Sequence, residues 1–108
     1  MRMMLKVSIP VEAGNAGVRN GNLGNTIRKI LDDLKPEAAY FAEDAGARTG
    51  YIFFDMRQSS DLPGIAEPWF LAFNATLTVR PAMNIDDLMA AAPGFERPVK
   101  AFGKPATA

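Results

Sequence analysis

Apolar and polar residues alternate from the start of the chain. Met3, Leu5, Val7, Ile9 and Val11 fall on one parity, and Met4, Lys6, Ser8 and Pro10 on the other. A period of two predicts a strand with one dry face, and Pro10, which lacks an N–H, marks its end or an unpaired side. The densest apolar run is Thr49 to Met56, with Gly46 before it, Gly50 at its start and Gln58-Ser59-Ser60-Asp61 after it. Both of its alternating sets are large, Tyr51 and Phe53 on one face and Ile52, Phe54 and Met56 on the other. That is a central strand needing cover on both sides. Between these two strands the period changes. Leu23, Ile27, Ile30, Leu31 and Leu34 recur at helical spacing, with Arg28, Lys29, Asp32, Asp33 and Lys35 around the other side. The spacing predicts a helix from Leu23 or Thr26 to Lys35, capped by Asn22 or Asn25 and stopped by Pro36. Glu12 to Gly24, dense in Gly and Asn, reads as a loop.

The remaining segments complete a pattern. Ala38 to Ala42 is a second strand, turned by Glu43 to Arg48 into the central one. Asp61 to Leu71 is a second helix with Leu62, Ile65, Ala66 and Trp69 as its buried stripe, and Pro68 as an awkward interior residue. Asn74 to Pro81 is a fourth strand, and Asn84 to Met89 a short helix with a capping pattern. From Ala90 the periodicity fades among Pro93-Gly94, Pro98, Gly103 and Pro105, so residues 91–108 read as an extension, loose or docked on a partner subunit, after a domain at 1–90. The order βαββαβ predicts an α+β, ferredoxin-like domain: a four-stranded antiparallel sheet, strands one and three central, both long helices on one face. The other face would carry Met4, Lys6, Ser8, Thr76, Thr78, Arg80 and an aromatic set. Helices for only one face imply that a second copy supplies the other cover, closing two sheets into a barrel.

Composition removes several chemistries. The chain has 108 residues, a formal charge of zero, no cysteine and no histidine. Thiolate chemistry and disulfides are excluded, and the commonest neutral-pH acid–base group and nitrogen metal ligand are absent. No metal and no cofactor are expected. Zero net charge and the lack of a basic footprint argue against nucleic acid, although sheet aromatics in this fold class do stack on RNA bases. No apolar run reaches the ~20 residues of a membrane span, and the start lacks a signal-peptide core. A soluble, cytoplasmic protein is expected.

The arrangement from Met3 to Met89, with its fourth strand ending in Arg80-Pro81-Ala82-Met83-Asn84 before Asp86-Asp87-Leu88, resembles the dimeric α/β-barrel superfamily. That group includes antibiotic-biosynthesis-type monooxygenases, stress-responsive barrel proteins and muconolactone-isomerase-like proteins. The resemblance implies a homodimer with a small cavity in each subunit between sheet and helices. It carries over no catalytic residue. Cofactor-free monooxygenases of the group use Asn, Trp and Tyr or His around a phenolic substrate, and Asn22, Trp69 and Tyr51 are the residue types present here. Haem-degrading members use a histidine ligand that this chain lacks.

Two functions are weighed. In the first, the homodimer binds a small organic ligand and is an enzyme of the monooxygenase or isomerase kind. The Asn15–Asn25 stretch forms the lip of its pocket, Arg19 pairs with an acidic group, Asn15, Asn22 or Asn25 bonds a carbonyl or oxyanion, and Tyr40 or Tyr51 donates a hydrogen bond to it. Asp55 and Glu67 are the acid–base candidates, each needing a pKa raised by burial. In the second, the chain is a non-catalytic accessory or protein-interaction module, with Phe95 and Phe102 in the contact. A closed cavity with convergent polar groups favours the first. A filled core with an exposed apolar patch favours the second.

Overall fold

The structure is a computed structural model that describes residues 1–104. Four strands, β1 (Arg2–Ile9), β2 (Ala38–Asp44), β3 (Ala47–Asp55) and β4 (Thr76–Pro81), form one antiparallel sheet in the order β2-β3-β1-β4. The helices α1 (Val11–Asn20), α2 (Leu23–Leu34) and α3 (Leu62–Phe73) fill the two crossovers. The expected βαββαβ order is present, with β1 and β3 central. The alternation in β1 does what its period predicts: Met3, Leu5, Val7 and Ile9 are buried, and the register partners of the first three, Phe54, Ile52 and Gly50, are buried with them. Directly opposed residues share a face, so this face is the core side. Trp69, Phe73 and Ala66 of α3 close over it, and Leu23, Ile27, Ile30, Leu31 and Leu34 of α2 pack at its margin.

The sheet is open. β2 and β4 are free edges, and the strands do not return to meet one another. The expected dimeric α/β barrel is therefore corrected to an open four-stranded sheet with helices on one face, loosely ferredoxin-like, and the resemblance to the barrel superfamily falls with it. The second set on β3 presents less bare apolar surface than its residue types suggest. Tyr51 turns its hydroxyl to Asp44 at 2.6 Å, and Phe53 and Met4, side by side in the register, are half-buried against their neighbours.

The stretch read as a Gly-rich loop is also different. Val11 to Asn20 is helix α1, entered from Pro10. Its glycines serve contact rather than turning. Gly14 and Gly17 are buried, and a Cβ on Gly14 would run into the guanidinium of Arg48, while one on Gly17 would lie 3.2 Å from Cβ of Leu23. Gly21 is the turning residue. At φ 72° it ends α1 with its N–H on the Val18 carbonyl, followed by Asn22 N–H on the Gly17 carbonyl. These paired bonds make a Schellman motif. Asn22 then stands at the N-cap of α2 without a side-chain cap bond.

The short helix expected from Asn84 to Met89 is present, and the extension after it, expected to be loose or docked on a partner subunit, continues as helix. α4 (Ile85–Ala91), a 3-10 turn (Ala92–Phe95) and α5 (Glu96–Phe102) follow one another without a break. Every described residue from Met83 onward is exposed. The extents are 62 × 31 × 22 Å, and the radius of gyration of 18.5 Å exceeds the ~13 Å of a compact chain this size. The arm stands clear of the body. Residues 105–108, also assigned to the extension, lie outside the described residues.

Candidate functional site

The five residues singled out for ligand binding do not converge. Trp69 is wholly buried on the core side of the sheet, 6.2 Å from the Phe73 ring between centroids, and its Nε1–H has no protein acceptor. Tyr51 is on the opposite face, in the register row Tyr40–Tyr51–Lys6–Thr78. Asn15, Arg19 and Asn22 sit at the α1–α2 corner, where Arg19 and Asn22 are exposed and Asn15 accepts a bond from Arg48 Nη2 at 3.1 Å. Only Asn15 is engaged by another side chain near a depression. That depression is an open groove of about 350 Å3 between α2 and the edge strand β2, floored by Ile9, Leu23, Ile27 and Phe41. A second cleft, about 280 Å3 between α2 and α3, is lined by Lys29, Ile30, Asp33, Leu34, Ile65 and Pro68. Both open to solvent. The space between sheet and helices holds Leu5, Val7, Ile52, Phe54 and Trp69 instead of a chamber.

The most organised polar cluster is on the open face of the sheet. Asp44 Oδ2 accepts from the Tyr51 hydroxyl at 2.6 Å and from Lys6 Nζ at 2.8 Å. The strand periods explain the meeting: Lys6, Tyr51 and Asp44 are all on the open-face parity of adjacent strands. The ammonium and the phenol hold the Asp44 carboxyl below the usual carboxylate range. The hydrogen bond to Asp44 raises the Tyr51 phenol above its ordinary value, aided by burial and charge, and Asp44 likewise raises Lys6. A carboxylate with two donors is a poor base near neutrality, and a phenol bound to a carboxylate is a poor acid. The cluster joins β1, β2 and β3; it is not built to move protons. Sequence reading missed it because Asp44 was placed in the hairpin turn, although strand parity was the available signal.

The raised phenol gives a pH test. A folded pKa above the unfolded one contributes stability that is present below the unfolded value and fades as pH climbs through the folded one. Asp44→Asn removes the negative charge while leaving an acceptor. Tyr51 is then expected to ionise at lower pH than in the wild type, read as phenolate absorbance with Tyr40→Phe in both backgrounds. Coincident curves would show that Asp44 does not hold the phenol.

Among the acid–base candidates, Asp55 is exposed and its Oδ1 takes the N-terminal ammonium at 2.6 Å, which lowers its pKa, the direction opposite to the one a general acid needs. Glu67 is exposed on α3. Among the described residues no group of three or more His, Cys, Asp or Glu is placed to hold a metal ion, and no helix is long and apolar enough to cross a membrane.

The third notable surface is the arm. Ile85, Leu88, Ala92, Phe95, Val99 and Phe102 recur at alternating intervals of three and four, an a/d seam. All are exposed, Phe102 to 83%. The base of the arm is fixed. Asn84 and Asp87 form a capping box, and Asp87 Oδ2 also takes Arg2 Nη1 at 3.0 Å. Arg2 in turn binds Glu37, tying the arm's first turn to β1 and the start of β2.

No family model matches the sequence, and no curated protein does. Among solved structures, a formyltetrahydrofolate deformylase from Pseudomonas putida KT2440 aligns with a TM-score of 0.47 at 13% identity, over 76% of this chain and 29% of that one.

Proposed function

We propose that the chain is a non-catalytic interaction module that works as a homodimer, its C-terminal arm being the contact between copies. The observation that carries this is the seam from Ile85 to Phe102, apolar and wholly outside the body. An amphipathic helix is stable when its apolar face is covered. The charge pattern favours a second copy running antiparallel. Asp86 is at the start of the arm, beside the Asp87 that holds Arg2, Glu96 is near its middle, and Arg97, Lys100 and Lys104 lie toward its end. Antiparallel pairing sets each acidic start against a basic end. The six exposed side chains Ile85, Leu88, Met89, Phe95, Val99 and Phe102 offer roughly 700 Å2 per arm, so two arms fall within the ~1,200–2,000 Å2 of a stable interface. The filled core and open clefts support this reading over an enzyme with an interior pocket.

Sedimentation equilibrium at low micromolar concentration tests it. The expected species has twice the 11.7 kDa of the chain. Phe95→Lys/Phe102→Lys is expected to give 11.7 kDa with an unchanged far-ultraviolet spectrum in the strand region, since both rings are exposed. A wild type that sediments as a single chain, or a double variant that keeps the dimer mass, overturns the proposal.

A further inference from the structure

The two free edges of the sheet are treated differently. β4 ends in Arg80-Pro81 and carries Thr76 and Thr78, a charge and a proline of the kind that discourages strand pairing. The first five residues of β2, Ala38-Ala39-Tyr40-Phe41-Ala42, carry no charge and no proline, the strand closes in Glu43-Asp44, and its register against β3 has no bulge. Its outer row of backbone N–H and C=O groups has no strand beside it. Tyr40 is 68% exposed and Phe41 52%. The acids that bracket the run are already occupied: Glu37 by Arg2, Asp44 by Lys6 and Tyr51, and Glu43 by the Gly46 N–H at 3.0 Å.

The helix beside this edge has a matching pattern. Gly24, Ile27, Arg28, Leu31 and Asp32 of α2 line a shallow cleft with Phe41. Arg28 and Asp32 are one turn apart on that face and form no ion pair with each other or with any other described residue. A two-fold axis that runs α2 antiparallel to its copy brings Arg28 of each chain to Asp32 of the other. Such self-complementarity is what an isologous contact requires.

We propose that β2 pairs antiparallel with β2 of a second copy, with α2 against α2, extending the two sheets into one. The occupant is the same chain because the charge pair on α2 complements itself and because the pairing run is uncharged. This contact is separate from the arm. Involving one short strand and one helix face, it joins arm-linked dimers at higher concentration, and it is available to a chain whose arm is disabled.

The absence of cysteine allows a local test. Single cysteines are placed at Ala38, Ala39, Tyr40, Phe41 and Ala42 in the full chain carrying Phe95→Lys/Phe102→Lys, and mild oxidation follows. A disulfide needs Cα atoms within about 4.4–6.8 Å, which directly opposed strand residues meet. The expected result is a covalent dimer peaking at one position of β2 and falling away on both sides. Arg28→Asp in the best cysteine background is expected to cut the initial rate at least about fivefold through like-charge repulsion, and Arg28→Asp/Asp32→Arg to restore it. A uniformly slow rate at all five positions overturns the β2 contact, even if the arm dimer stands. A fast rate that ignores both charge variants overturns the α2 pairing. Loss of the arm dimer alone leaves the peak unchanged.

Discussion

Trp69→Ala is expected to lower the free energy of unfolding by about 3–5 kcal/mol. For a domain whose whole margin is ~5–15 kcal/mol, that is the largest loss a single truncation should cause here. Trp69 is the largest of the fully buried side chains and sits in the same cluster as Leu5, Ile52 and Phe54. Through it α3 is held to the central strands. Trp69→Phe separates two components of that loss. Phenylalanine fills less of the site, but it also removes the buried Nε1–H, which has no protein acceptor. An unpaired buried donor costs about 1–3 kcal/mol, so the phenylalanine variant is expected to lose less than about 2 kcal/mol. Urea unfolding of the three proteins reads both values. If phenylalanine costs as much as alanine, the indole N–H is not a burden on the fold.

Much of this core was legible in the sequence, because burial there follows a simple period. Met3, Leu5, Val7 and Ile9 lie on one parity and are buried on one face. Leu23, Ile27, Ile30, Leu31 and Leu34 keep helical spacing and pack as a stripe. Two segments misled for the same reason: residues that usually break elements were used for other purposes. Gly14 and Gly17 in α1 give room to Arg48 and Leu23 instead of bending the chain. In the arm, Pro93 and Pro98 fall in the first turns of the 3-10 segment and of α5, where a missing N–H costs little. The seam through Phe95 and Phe102 therefore continues across them. The candidate site was less legible still. Asn15, Arg19, Asn22, Tyr51 and Trp69 were grouped by chemical type, and which of them meet depends on strand register and on which face of the sheet each occupies. Tyr51 and Trp69 prove to be separated by the sheet itself.

Gly50→Val is expected to destabilise the fold by about 1–3 kcal/mol, although valine is the better strand former by up to ~1 kcal/mol. Gly50 is buried in β3, flanked in register by Val7 and Phe41. A Cβ there would lie 2.9 Å from Phe41 Cε1, 3.3 Å from Phe41 Cδ1 and 3.8 Å from Ile52 Cδ1. The Phe41 ring therefore rests on the space the glycine leaves open. Because Phe41 is on an edge strand and half-exposed, it has somewhere to go. The cost is that of swinging one ring outward from the groove it lines with Ile27, rather than of breaking the sheet. This predicts strong coupling. Phe41→Ala alone loses that packing, but once it is made, valine at 50 has room and its strand preference counts. The double variant is expected to be more stable than the sum of the single losses predicts, by about 0.5–3 kcal/mol, measured by urea unfolding of the four proteins in the cycle. Additive losses would mean that valine meets its resistance elsewhere, from the core beneath it. The same ring movement should slow cross-linking at Tyr40→Cys, since it alters the edge on which β2 is proposed to receive its copy.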